Sequence, residues 1–234
     1  MKSQKITKVR QAVEKRRYDD ACAATHAIDI LGDRWALPVM RELMLGPCRF
    51  GDLRRSLPAI SANVLTQRLH SLEAAGVLIR RKLAPPANVQ VYELTRWGYE
   101  AQPIFQALGL WGVKSPAHDP TKPFSATSLA LSLRTMIDPS KAAGMTASVG
   151  FAIDHQEFEV RVTDGITELL RSDPDEPPDA RFAGSAQSIA AAIYAKVPLA
   201  DLEAAATLVV SGDRNLARRF VDLYTLPEKA AAAD

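Results

Sequence analysis

The segment Ser115-Pro-Ala-His-Asp-Pro-Thr-Lys-Pro123 constrains this chain more than any other. It holds three prolines and almost nothing apolar. Proline fixes φ and lacks a backbone donor, so the stretch neither continues a helix nor sits in the centre of a sheet. The charge balance changes sign at the same place. Residues 1–114 carry 18 Lys and Arg against 10 Asp and Glu, while residues 115–234 carry 11 against 17. The formal +2 of the whole chain therefore conceals a half at +8 and a half at −6. At ~100–200 residues per domain, 234 residues suit two units. The expected division is a basic arm over 1–20, a first domain over 21–114, a linker over 115–123 and a second domain over 124–228. The basic half is the candidate for a polyanionic partner.

Several classes fall away at once. No apolar run approaches the ~18 residues of a membrane span. The N-terminus, MKSQKITKVRQAVEKRRYDD, has no apolar core of the kind a secretory signal needs. Cys22 and Cys48 are the only cysteines, which gives neither a disulfide framework nor a metal-spaced cluster. A cytoplasmic protein that makes no use of a membrane is expected. His26, His70, His118 and His155 are scattered without ligand-like spacing, and there is no glycine-rich phosphate loop or nucleophile elbow. The acidic run Asp173–Asp179 is interrupted by three prolines and reads as a solvated loop. No catalytic residue, metal or cofactor is expected, and the chain is not read as an enzyme.

The first half reads as helices followed by a hairpin. Ala24, Ile28 and Leu31 lie at helical spacing before Gly32. Asp33 is placed to cap a second helix carrying Leu37, Met40, Leu43 and Met44, closed by Gly46-Pro47. Phe50, Leu53 and Leu57 mark a short helix ending at Pro58. Ser61 caps the next, which runs to Ala75 and stops at Gly76, with Ile60 and Leu65 placed as a hydrophobic staple. Val77–Leu83 and Val89–Thr95 are β-rich segments around Ala84-Pro-Pro-Ala-Asn88 and read as a hairpin. One last helix is expected from Trp97 to Trp111, apolar at Ile104, Leu108 and Trp111.

On the Ser61–Ala75 helix, Leu65, Leu69 and Leu72 share a narrow arc that must pack inward. The opposite arc holds Asn63, Thr66, Gln67 and His70. Asn and Gln bond bidentately to adenine, and Thr offers a hydroxyl or a methyl to base edges. Alone, such a row is an ordinary solvated face. Its context is a short helix, a tight Leu57-Pro-Ala-Ile60 turn, this helix and then a hairpin carrying Arg80, Arg81 and Lys82. That is the order of a winged helix-turn-helix, whose wing neutralises phosphates. The residues expected at DNA are Ser61, Asn63, Thr66, Gln67, Arg68, His70, Arg80, Arg81 and Lys82. Arg68, on the flank of the helix, is assigned to phosphate. Side chains on a strand alternate, so only one or two of the three wing cations share a side.

Cys22, Ile30-Leu-Gly-Asp-Arg-Trp35, Arg41-Glu-Leu43, Arg49-Phe-Gly-Asp-Leu-Arg54, Leu65-Thr-Gln-Arg-Leu69, Leu72-Glu-Ala-Ala-Gly-Val-Leu78 and Tyr92-Glu-Leu-Thr95 occur in order. Together they closely resemble the HxlR-type family of winged-helix transcriptional regulators, relatives of the MarR group, from about Cys22 to Trp111. The resemblance implies a homodimer joined through the first and last helices of this half, on a double-stranded operator with two similar half-sites. In some relatives a cysteine near position 22 senses oxidants or electrophiles. Cys22, four residues from His26, is the redox candidate; the expectation is instead the small, buried, inert side chain that a free cysteine usually is.

In the second half, Leu129, Leu133, Met136 and Ile137 form an amphipathic helix. Val149, Phe151 and Ile153, then Phe158, Val160 and Val162, alternate with polar residues as half-buried antiparallel strands. Asp164-Gly165 is a hairpin signal leading into Ile166–Arg171. Ala180–Ala183 and Thr207–Ser211 are further strands, Ser188–Lys196 a helix, and Asp213 caps a last helix carrying Leu216, Phe220 and Leu223. The fold class is therefore multidomain: a mostly α winged helix-turn-helix, then an α+β domain with an antiparallel sheet and helices on one face. From Ser125 to Leu226 the order is similar to the sterol-carrier-protein fold. That resemblance implies an apolar cavity for a lipid-like small molecule, with Leu129, Leu133, Phe151, Phe158, Ile193 and Phe220 as candidate lining. The same residues would equally fill a plain core.

The leading function is a dimeric, sequence-specific transcriptional regulator tuned by an apolar ligand in its C-terminal domain. The alternative is a lipid-binding carrier or sensor whose basic half contacts a protein or an anionic surface. The polar row on the reading helix favours the first, because a membrane surface would call for exposed apolar residues beside the basic ones.

Overall fold

Gly32 ends helix α1 (Ala23–Leu31), and α2 (Ala36–Leu43) buries Val39, Met40 and Leu43 beneath the helices that follow. α3 (Phe50–Ser56) and α4 (Ala62–Ala74) meet at a tight turn in which the Ile60 N–H donates to the Leu57 carbonyl. Ser61 caps α4, its Oγ accepting from the Val64 N–H at 3.3 Å. Ile60 and Leu65 are both buried, as the staple requires. Gly76, at φ +75°, supplies the left-handed residue that ends the helix. β1 (Leu78–Lys82) and β2 (Gln90–Leu94) pair antiparallel with Leu78 opposite Leu94, both buried. This is a helix-turn-helix followed by a wing. It is a computed structural model that describes residues 18–171 and 177–231, so the basic arm read over 1–20 lies outside it except for its last residues.

Two expectations for this half are corrected. Asp33 does not cap α2, whose first turn follows Trp35 without a side-chain cap; the Asp33 carboxylate instead pairs with Arg68 of α4. The single helix expected over Trp97–Trp111 is two, α5 (Arg96–Tyr99) and α6 (Gln102–Gly112). Pro103 lacks the N–H that would bond the Tyr99 carbonyl, so the helix restarts with proline in its first turn. Thr95 caps α5 and donates its hydroxyl to the Gly76 carbonyl at 2.8 Å, fastening the helix to the base of the wing.

The second half runs α7 (Ala126–Met136), α8 (Pro139–Ala142), β3 (Thr146–Ile153), β4 (Gln156–Thr163), β5 (Ile166–Leu170), β6 (Ala180–Gly184), α9 (Ala186–Ile193), α10 (Leu199–Ala204), β7 (Leu208–Gly212) and α11 (Arg214–Asp222). The strands form one sheet in the order β5-β4-β3-β6-β7. Asp164 and Gly165 both take positive φ in the two-residue turn, as an Asp-Gly hairpin demands. The sheet is mixed and not antiparallel throughout, because β6 runs parallel to β3. The connection after β5 carries the chain across the sheet, so β6 enters in the direction of β3, a crossover that strand patterns alone do not reveal. The short helices α8 and α10 are also absent from the sequence reading, and Ser185, three residues earlier than expected, caps α9.

α7, α9 and α11 pack against the strands. Phe151 and Phe182 stack at 5.4 Å, and Phe220 of α11 lies 5.7 Å from Phe151. On the opposite face of the sheet Arg161 chelates the buried Glu159 at 2.7 and 3.1 Å. The linker does not hang free. The Ala230 N–H donates to the Lys114 carbonyl at 2.7 Å, and Lys229 Nζ donates to the carbonyls of Val113 and Ser115 at 2.9 and 3.2 Å. The end of the chain thus clasps the join between the halves.

Gly98 and Gly51 give a paired test of this packing. A Cβ at Gly98 would lie 2.1 Å from the Val77 carbonyl oxygen, and that backbone cannot step aside. A Cβ at Gly51, on α3, meets nothing within 4 Å. Gly98→Ala is expected to lower stability by about 1–3 kcal/mol through overpacking. Gly51→Ala should be neutral or stabilising by up to ~1 kcal/mol, since alanine is the better helix former. Urea unfolding followed by circular dichroism checks both signs; equal midpoints for the two variants would refute the close approach of α5 to Val77.

Candidate nucleic-acid interface

Leu65, Leu69 and Leu72 are buried along α4, and this seam fixes which arc faces out. Asn63, Thr66, Gln67 and His70 are all exposed, and their spacing of three and four residues sets them in one row. The Thr66 hydroxyl donates to the Ala62 carbonyl at 2.9 Å, so its proton is committed and its methyl and lone pair remain outward. Ser61 is exposed and its Oγ is committed as the cap acceptor, which leaves its O–H as a donor at the N-terminal end of the row.

Arg68 is placed differently from expectation. Its guanidinium pairs with Asp33, the side chain is 14% exposed, and Nε is buried without an acceptor. Burial also pushes its pKa down. Arg68 therefore fastens α4 to the corner between α1 and α2 and is not turned toward a phosphate. The two residues lie 35 apart in sequence, and no local pattern announces the pairing.

The wing divides its cations as strand alternation requires. Arg80, opposite Tyr92, and Lys82, opposite Gln90, share one side, and both are exposed. Arg81, on the other side, pairs with Glu93 of β2, and that hydrogen bond raises its pKa. Its charge is already answered within the hairpin, so Arg81 drops behind its neighbours as a phosphate contact. A cation the sequence reading passed over is Arg54, exposed near the end of α3, with no ion-pair partner among the described residues. No periodic signal marked it, since position 54 lies four residues from the half-buried Phe50 and so beside the apolar arc of α3.

Contrary to expectation, Cys22 is not buried. Cys22 is exposed at the start of α1, and its thiol pKa is lowered by the Thr25 N–H, the Thr25 hydroxyl and the Ala24 N–H, with no contribution from His26. Cys48 is buried, its Sγ 3.4 Å from the Glu42 carbonyl, and burial pushes its thiol up. A helix N-terminus points its free N–H groups at whatever residue precedes it, which is the position Cys22 holds.

The six residues chosen as ligand lining, Leu129, Leu133, Phe151, Phe158, Ile193 and Phe220, are each no more than 1% exposed. They pack with Phe182, Ile189 and one another, and none borders either of the two clefts described at the protein surface. They are core and not lining. Inward position along an element is legible in sequence, but whether the space beyond it is filled is not. Among the described residues no cluster of His, Cys, Asp and Glu could hold a metal ion, and no helix is long and apolar enough to cross a membrane.

A profile described as HxlR-like helix-turn-helix matches residues 30–119. The match takes in α2 to α6 and stops within the proline-rich join. Sll1512 of Synechocystis sp., an uncharacterized HTH-type transcriptional regulator, is 40% identical over 89 residues, 37% of this chain and 64% of that protein. YvaP of Bacillus subtilis, also an uncharacterized HTH-type transcriptional regulator, is 35% identical over 89 residues, 38% of this chain and 82% of that protein. YodB of B. subtilis, an HTH-type transcriptional regulator, is 36% identical over 86 residues and covered to 76%. Its reduced form, as a solved structure, is 30% identical over 43% of this chain and 100% of its own, at a TM-score of 0.39. With helix-turn-helix, wing and outward polar row in place, the chain belongs to the HxlR-like helix-turn-helix family of DNA-binding transcriptional regulators.

Proposed function

We propose that the chain works as a homodimer, each α4 reading one half-site of an operator in the major groove while the wing lies on the flanking backbone. The observation that carries this reading is the row Asn63, Thr66, Gln67 and His70, held outward by a capped and fully seamed helix. Arg80, Lys82 and Arg54 are the phosphate contacts in this reading, and Ser61 a hydroxyl donor at the entry to the groove. Base-edge contacts supply choice of sequence and phosphate contacts supply affinity.

Dimerisation draws support from an apolar face that the protomer leaves uncovered. Neither α1 nor α6 fully buries any residue. Ile28, Trp97, Ile104, Leu108 and Leu110 are all at least 41% exposed, and Trp111 is 77% exposed. Exposed apolar residues on α1, α5 and α6 are what a symmetric interface would cover. The second half, a sheet with helices packed on it, is the regulatory module in this reading. The carrier alternative loses its main support, since the space it needs holds Phe151, Phe182 and Phe220.

In vitro selection from randomised duplexes should return a sequence with two related half-sites. On that operator, Gln67→Ala or Asn63→Ala is expected to cost ~1–3 kcal/mol while binding to random DNA stays unchanged. Selection that returns no enriched sequence would overturn the reading. Arg80→Ala and Lys82→Ala should each lower the slope of log K against log salt by about one unit. Arg81→Ala, already paired with Glu93, should leave it unchanged, and a drop in slope for Arg81→Ala alone would reverse this assignment. The double variant Leu108→Glu, Trp111→Glu should sediment as a monomer and lose operator affinity; a stable dimer would move the interface off α6.

A further inference from the structure

The two halves enclose a cleft of about 1020 Å³. One wall comes from α2, α3 and the Leu57–Ala59 turn, the other from Pro123–Ala126, the β3–β4 turn and Arg171 just beyond β5. Trp35, Leu57, Pro58 and Phe124 give it apolar sides.

Its charges largely cancel in pairs. Arg41 holds Glu42 at 2.7 Å, Arg55 holds Asp52 at 3.2 Å, and Glu157 accepts from Arg181 at 2.7 Å. Asp154 and His155 stand exposed on the β3–β4 turn. Arg171 is the exception, for it has no carboxylate partner among the described residues. Nη2 donates to Thr127 Oγ1 and Gln156 Oε1, both at 2.7 Å, and Nη1 reaches only the weakly accepting Cys48 Sγ at 3.4 Å. Nε is buried with no acceptor. The Phe158 ring, 5.6 Å from Cζ, backs the guanidinium. Arg171 is half-buried with only neutral partners, and an incoming carboxylate would supply the charge-assisted bond it lacks. Across the cleft, the charge of Glu42 is answered at Oε1 by Arg41 and by the Ser125 hydroxyl at 2.7 Å, while its Oε2 is buried without a donor.

We propose that this cleft binds a small organic acid, an apolar body between Trp35 and Phe124 with one carboxylate on Arg171, and that occupancy alters how the helix-turn-helix engages DNA. The second clause rests on the operator-binding reading above; the first does not. The cleft wall includes α3 and the turn that leads into α4, so a ligand that spans both halves holds the second half against the elements that aim the reading helix. It changes operator affinity only to the extent that it prefers one arrangement of the halves.

The test uses 2-naphthoate and its neutral isostere 2-naphthamide, titrated calorimetrically into the full chain without DNA. Naphthoate should bind about tenfold tighter than the amide, the ratio expected of one charge-assisted bond. Arg171→Met should abolish that preference, and Arg171→Lys, which keeps the charge without the planar fork, should retain part of it. Equal affinity for acid and amide, no binding of either, or an unaltered preference in Arg171→Met would overturn the site. Operator titrations at saturating naphthoate then read the coupling separately. A severalfold change in affinity that vanishes in Arg171→Met supports it, and an unchanged affinity overturns the coupling while leaving the site standing.

Discussion

The first half presents its polar row to solvent because of the seam that Leu65, Leu69 and Leu72 make beneath α4. Each buried leucine contributes on the order of 1.5–3 kcal/mol, so a rotation of the helix that exposed the seam would cost more than any contact on its outer face returns. The Ser61 cap fixes where the helix begins, the Arg68–Asp33 pair ties its middle to the corner before α2, and Gly76 fixes where it ends. With start, rotation and end all determined, Asn63, Thr66, Gln67 and His70 project from a fixed backbone, so that binding has only their side chains to order and not the helix itself.

The contacts between the halves mix apolar and polar groups. The apolar core runs from the first half through the second, and around Phe151, Phe182 and Phe220 it is closed. At the join Glu42 Oε2, Arg134 Nε and Arg171 Nε are buried without partners. A half-satisfied polar interface holds its two sides less firmly than a packed apolar one, because each orphan group lowers the cost of separating them. The clasp of Lys229 and Ala230 on Lys114–Ser115 limits how far such a separation can go. Adjustable contact under a short tether is a workable basis for passing a small change from one half to the other.

Which parts of this were legible in sequence follows from how local each determinant is. The capping serine, the leucine seam and the Asp164-Gly165 turn are each written within a few residues, and the structure has them where the sequence reading set them. The reading was weaker wherever a partner is distant. Arg68 looked like a phosphate contact because Asp33 lies in another element, and Arg81 looked free because Glu93 lies on the facing strand. The parallel register of β6 on β3 depends on a crossover, not on either strand's pattern. The six inward apolar residues of the second half illustrate the same limit, since filled and hollow cores have the same periodicity. Arg171 carried no sequence signal at all: its environment is assembled from α7, β4 and the loop before α3, through Thr127, Gln156 and Cys48.

These strands meet in α2. It packs against α1 of the exposed apolar face, against α3 and α4 of the reading unit, against β2 of the wing and against α7 of the second half. Arg41 borders both clefts at the join, and Glu42, one residue on, is buried between Arg41 and Ser125. A helix of eight residues with its apolar side fully buried moves as one piece. A shift of the second half that displaces Ser125 from Glu42 therefore reaches α4 and α1 together, and in the proposed dimer it would alter the aim of the reading helix and the seat of the interface by the same motion. Because such coupling would be reciprocal, DNA binding that moves α4 would in turn be felt at Arg41 and Glu42.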